Sequence, residues 1–167
     1  MNLNRLPIVA FGLAALFAAA SVSAADTEAV DAGADAGIAK QLGELDYQYE
    51  IDEDGDYKLV MEVEGDRTQL VYVRSPVHQY GSQSIREVWS PAYRIDGGRF
   101  PAPVSDRLLE DSHASVLGAW VKQGEHAIFV VKLAADADTA SLDDAIEAAI
   151  TTADAMENVL APGTDEF

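Results

Sequence analysis

The sequence predicts an α+β domain, an antiparallel sheet packed with helices in the order α-β-β-β-β-α-β-β-α. Three observations carry that expectation. Asp54-Gly55 and Gln123-Gly124-Glu125 are turn signals, each set between runs that read as strands. Leu142, Ile146, Ala149, Ile150, Ala153, Met156 and Leu160 recur at three and four residues, the repeat of an α-helix. Hairpins and helices also fall in separate groups, which argues against an alternating parallel fold.

Taken in order, Ile38, Leu42 and Leu45 lie at helical spacing, so a first helix is expected over residues 34–45, weakened near its end by Gly43. Residues 47–51 alternate as a strand and stop at Asp52-Glu53-Asp54-Gly55-Asp56. Tyr57, Leu59, Met61 and Val63 then share one face of a second strand that ends at Gly65-Asp66. In a third strand over residues 68–74, Leu70 and Tyr72 lie on one face and Val71 and Val73 on the other, so both faces should be partly covered. Residues 75–81 read as a loop, and residues 84–90 as a strand that Pro91 ends. After a connector at 95–101, a helix is expected from Ser105 or a neighbour, carrying Leu108, Leu109, Ser112 and Val116 and stopping near Gly118. Residues 119–122 and 126–133 form the second hairpin. The last helix should open on a capping box of Ser141 and Asp144 and stop at Pro162-Gly163.

The N-terminal end has its own logic. One positive charge at Arg5, an apolar run over 6–20 and the small-residue exit Ser21-Val22-Ser23-Ala24-Ala25 form the three-part layout of an export signal. The expected organisation is a signal peptide over 1–24, a flexible leader over 25–35, one domain over 36–161 and a disordered tail over 162–167. Ala25 is not cysteine, which argues against a lipid anchor. An uncleaved span is the rival, but Pro7, Gly12 and many alanines suit it poorly. The expected location is periplasmic or secreted, with no stable membrane insertion after cleavage.

Charge narrows the function classes. The chain has 11 Lys and Arg against 29 Asp and Glu, a net −18, and loss of Arg5 makes it one more negative. Such a field repels phosphate backbones, so nucleic acid is excluded as a partner. Cysteine is absent, which removes disulfides, thiol chemistry and thiolate metal sites.

No catalytic set stands out. Asp52, Asp54 and Asp56 offer closely spaced oxygens, but an EF-hand register starting at Glu50 puts Met61 where a bidentate glutamate is needed. They remain the candidate metal ligands and, for a calcium sensor, the alternative reading. His78, His113 and His126 stand at no ligand spacing from one another. There is no Gly-x-Ser-x-Gly elbow and no phosphate-cradling glycine loop. No catalytic residue and no cofactor is therefore assigned, and a hydrolase with an unrecognised site is the other alternative. Trp89, Tyr93, Phe100 and Trp120 are either core aromatics or the lining of a partner-binding patch.

Several segments together resemble the YbjN family of proposed sensory-transduction regulators. They are Leu45-Asp46-Tyr47 running into the acidic turn, Val88-Trp89-Ser90-Pro91, Leu108-Leu109 ahead of Leu117-Gly118-Ala119-Trp120, and Ala153-Asp154-Ala155-Met156-Glu157. That resemblance implies a fold similar to type III secretion chaperones, a homodimer, and binding of another polypeptide; it brings no active site. The export signal departs from a cytoplasmic regulatory role. The expected function is an exported, non-enzymatic, protein-binding or chaperone-like module. Intact-mass measurement of the exported protein is expected to find Ala25 at its N-terminus; Met1 retained in the envelope fraction would show an uncleaved anchor.

Overall fold

Alternation in the strands decides which side chains are buried. The computed structural model describes residues 33–167, so the expected signal peptide and the leader up to residue 32 lie outside the described residues. The elements are α1 (Ala36–Glu44), β1 (Glu50–Ile51), β2 (Tyr57–Val63), β3 (Arg67–Val73), β4 (His78–Tyr80), β5 (Gln83–Arg94), α2 (Ala102–Ala114), β6 (Ala119–Gln123), β7 (His126–Ala134) and α3 (Thr139–Leu160). The fold is α+β, three helices on an antiparallel sheet, in the order that the sequence predicts. A three-residue strand, β4, is added where residues 75–81 read as a loop.

The sheet runs β1-β2-β3-β5-β7-β6, with β4 beside β5. Leu59 pairs with Val71 and Tyr57 with Val73; Val73 pairs with Val88, Val88 with Val131, and Phe129 with Trp120. These residues share one face and one buried cluster, which also takes Ile38 and Leu42 of α1, Leu108 of α2, and Leu142, Ile146, Ala149, Ile150, Ala153 and Met156 of α3. Ile128 and Val130 are also buried, yet they point to the other face and stand outside that cluster. The helices thus cover one side of the sheet, and the side bearing Leu70, Tyr72, Trp89, Ile128 and Val130 is free of helices among the described residues.

Pro91 does not end its strand. β5 runs on to Arg94, with a shift of register between Pro91 and Tyr93. Proline is tolerated because the β3–β5 ladder has already opened: it holds only Tyr72 with Trp89 and Val73 with Val88. Gln69 fills the gap with its side chain, donating from Nε2 to the Pro91 carbonyl at 2.7 Å and to Ser90 Oγ at 3.0 Å, while the Ser90 hydroxyl donates to the Leu70 carbonyl at 2.7 Å. Gln69 thus satisfies the Pro91 carbonyl where β3 supplies no amide from its main chain.

The helix ends also differ from expectation. α2 starts at Ala102 on Pro101 and Pro103, where a helix needs no amide partners, and it stops at Ala114. Only Leu108 of its apolar residues is buried; Leu109 is 67% exposed, and Val116, beyond the helix, is 97% exposed. α3 is capped by Asp138, whose Oδ1 accepts the Ser141 N–H at 2.9 Å, so Ser141 is a donor inside the first turn and not the cap. The tail expected to be disordered at 162–167 is held: Asp165 Oδ1 accepts the Thr68 N–H at 3.3 Å, and the Glu166 N–H donates to Glu157 Oε1 at 2.8 Å. Those two bonds tie the segment to β3 and α3.

The two sheet edges are treated differently. At β6 the Trp120 N–H donates to Ser112 Oγ of α2 at 2.9 Å and the Trp120 indole donates to Asp111 at 2.8 Å, so a helix meets that edge at Trp120, the rest of β6 being exposed. At the other end β1 pairs only with Tyr57 and Lys58, leaving residues 59–63 of β2 without an outer strand among the described residues.

Gly118 joins α2 to β6 at φ +78°, and a Cβ there would stand 2.6 Å from the Val130 carbonyl oxygen and 2.7 Å from Phe129 Cε1. Gly118→Ala is expected to cost about 2–4 kcal/mol in urea unfolding, because backbone strain and overpacking add. Gly124→Ala, at φ +56° but in open space, should cost only about 1 kcal/mol. Equal losses at the two sites would remove the packing argument.

Candidate functional site

Ser75, just past β3, gathers four separated parts of the chain. Its N–H donates to Asp56 Oδ1 at 2.7 Å, its hydroxyl donates to the Gly55 carbonyl, and its Oγ accepts the Asp35 N–H at 3.1 Å. Arg86 of β5 donates to the carbonyls of Arg74 and Ser75 at 2.9 and 3.2 Å and pairs with the Asp35 carboxylate. Asp35 in turn caps α1 by accepting the Gly37 N–H at 2.8 Å. Burial opposes its charge, but Arg86 and the Gly37 amide hold the Asp35 carboxyl below the usual carboxylate range.

On the helix-free face the same knot continues through Arg74. Its Nε lies 2.5 Å from Asp56 Oδ2, a close ionic contact without the alignment of a hydrogen bond, and its guanidinium sits 4.1 Å above the Trp89 ring. The Trp89 indole donates to Glu87 Oε2 at 2.9 Å, and Glu87 Oε1 is 2.9 Å from Lys132 Nζ. Burial pushes the Asp56 carboxyl up, against the pull of the Ser75 amide and Arg74. Glu87 is moved the other way: despite burial, Lys132 and the indole keep its carboxyl low. Trp89 is thus clamped on its face by a cation and at its edge by a carboxylate.

This clamp borders a concave pocket of about 310 Å³ across β3, β5 and β7. Leu70, Tyr72, Trp89, Pro91 and Ile128 supply its large surfaces, with Asp52, Asp54, Asp56, Arg74, Gln123, His126 and Phe167 completing the wall. Phe167 lies edge-on to His126, ring centroids 6.1 Å apart. The ionisable side chains on its lining are three aspartates, Tyr72, Arg74 and His126. A second concavity between β2 and α3 is lined by five carboxylates together with Tyr47, Met61, Val63, Ile150 and Thr151. There the Tyr47 hydroxyl donates to Asp143 at 2.6 Å, and burial with that carboxylate pushes the phenol up to about 12.

The structure brings Asp52, Asp54, Asp56 and Trp89 to one pocket and leaves Tyr93, Phe100 and Trp120 outside it. Asp52 Oδ1 accepts the N–H groups of Asp54 and Asp56 at 3.0 and 2.9 Å and so shapes the turn, while Asp56 is committed to Ser75 and Arg74. Among the described residues no three His, Asp or Glu side chains gather as a metal-holding group. Of the four candidate partner-binding aromatics only Trp89 faces the pocket. The shift at Pro91 turns Tyr93 to the core side opposite Ala127, where it pairs with Phe100 at 5.9 Å. Trp120 is buried against Phe129 at 5.2 Å. Arg74, Tyr72, Ile128 and Phe167 join the site without having been read from the sequence. Tyr72 and Arg74 share a face by simple alternation, but only the strand register sets them beside Trp89.

Asp56 is 2% exposed and Arg74 is its cation, so Arg74→Gln should lose about 3 kcal/mol of stability by leaving a buried carboxylate unpaired. Arg94→Gln breaks the exposed pair with Glu166 and should lose less than about 1 kcal/mol. Urea unfolding of both variants measures the difference; equal losses would mean that the buried pair does not anchor this face. Compared with known proteins, the chain matches no family model and no curated protein sequence.

Proposed function

We propose that this protein is a non-enzymatic polypeptide-binding module of the exported compartment, holding its partner on the helix-free face of the sheet. One observation carries the reading: the chain's own residues 165–167 lie against the folded domain, Asp165 at Thr68 and Glu166 at Glu157, and bring Phe167 to the wall of the pocket beside Trp89. A surface that seats backbone, carboxylate and aromatic ring together is suited to another chain. Tryptophan, tyrosine and arginine, the types most enriched at the energetic centres of protein interfaces, stand side by side there as Trp89, Tyr72 and Arg74. The resemblance to a chaperone-like fold supports the same reading, and the export signal supplies the compartment.

A photo-crosslinking amino acid at Tyr72 is expected to trap a discrete polypeptide in cells, and one at Asp136, outside the pocket, is not. Trp89→Ala should weaken that capture by at least about tenfold, as for an interface anchor. Equal capture from both positions would sink the assignment of the face. Turnover of any substrate by the folded protein, abolished by His126→Ala, would replace the binding reading with the hydrolase alternative.

A further inference from the structure

The reading of the helix-free face as a polypeptide-binding surface can be taken one step further. We propose that the seat of residues 165–167, which runs from Arg67 and Arg94 to the pocket wall at Phe167, is a recognition subsite for segments in which acidic residues run into an aromatic one, and that residues 165–167 are a built-in occupant that such a partner segment displaces.

The chemistry of the seat sets this preference. In a chain with 29 acidic and 11 basic residues, the acidic segment is met by two arginines. Arg94, at the end of β5, places Nε 2.6 Å from Glu166 Oε1; Arg67, at the start of β3, places Nε 3.8 Å from Asp165 Oδ1. The Thr68 N–H donates to the same Asp165 oxygen at 3.3 Å. Backbone is read as well, because the Glu166 N–H donates to Glu157 Oε1 at 2.8 Å. Glu157 is 1% exposed and is held by Arg67 Nη2 at 2.8 Å, so this acceptor is a fixed part of the seat. The next side chain, Phe167, meets the edge of His126 and joins Leu70, Pro91 and Ile128 on the pocket wall. A basic segment would lose both contacts and meet Arg94 with like charge, Arg67 being also paired with Asp154 at 3.0 Å and Glu157 at 2.8 Å.

The same contacts explain why the occupant can be exchanged. Arg94 and Glu166 are 47% and 41% exposed, and Asp165 is 40% exposed, so water and salt weaken each pair. What holds the segment is its tether, which keeps it at an effective concentration in the millimolar range. A partner that carries the same pattern and adds contacts along Tyr72 and Trp89 replaces it without new chemistry.

The test uses the full chain and a fluorescein-labelled peptide of sequence Ala-Ala-Asp-Glu-Phe-Ala-Ala, read by anisotropy. The double variant Glu166→Ala with Phe167→Ala, checked for folding by near-UV circular dichroism, is expected to bind the peptide at least about tenfold more tightly than the unaltered chain, because the tethered competitor is weakened. Exchanging Asp-Glu for Lys-Lys in the peptide, or adding Arg94→Ala to the protein, should remove that gain. Equal affinity of the two chains, no binding by either, or equal binding of the Lys-Lys peptide overturns the proposal; capture from position 72 in that case leaves the broader binding role standing. Sedimentation at the same concentrations reads the remaining alternative: a dimer of the unaltered chain that the double variant cannot form would assign the seat to a second copy and overturn displacement by a partner.

Discussion

The carboxylate of Asp56 is the constraint on which the rest of the molecule depends. It is buried at the start of β2, and a charge there is tolerated only while the Ser75 amide and the Arg74 guanidinium stay in place. Meeting that demand fixes the end of β3 against the start of β2. Through Ser75 and Arg86 it also fixes the cap of α1, since Asp35 is held by both. One buried charge therefore sets the position of two strands, a helix and the indole on which Arg74 rests. Networks of this kind hold together or fail together, because each member supplies the partner that makes another's burial tolerable.

The division of the sheet into a covered and an uncovered face follows from the same economy of side chains. Small and branched residues, Val71, Val73, Val88, Ala127 and Val131, fill the side under α3. Long residues with polar ends, Tyr72, Arg74, Glu87, Trp89 and Lys132, fill the other. Ile128 and Val130 are buried on that side, while the polar ends of Glu87, Trp89 and Lys132 meet one another and Arg74 meets Asp56. The uncovered side is consequently neither a second core nor a bare apolar sheet. Its order comes from ion pairs and a stacked cation, which define a shape while leaving aromatic surface accessible.

Much of this was legible in the amino-acid sequence, because it rests on local periodicity. The three- and four-residue recurrence from Leu142 to Leu160 marks α3, and alternation marks β2, β3 and β7. What failed depends on neighbours distant in the chain. Pro91 looks like a terminator until Gln69, on another strand, is seen to take its carbonyl. Tyr93 and Trp89 look alike in sequence, and a shift of one residue in the ladder sends one to the core and leaves the other on the open face. The acidic turn shows its oxygens in the sequence, but not the amides that Asp52 accepts or the amide and arginine that Asp56 meets. The end of the chain reads as frayed because Asp165, Glu166 and Phe167 have no local partners; those that bind them lie on β3, β5, β7 and α3.

α2 meets the β6 border at Trp120, whereas residues 59–63 of β2, paired with β3 on one side, have no outer strand on the other among the described residues. A strand added at a border needs successive free amides and carbonyls, so a border blocked at one residue accepts a shorter ladder than an open one. The amide that Trp120 gives to Ser112 thus removes one link from any ladder that a further strand could build on β6, at the opposite border of the sheet from the open stretch of β2.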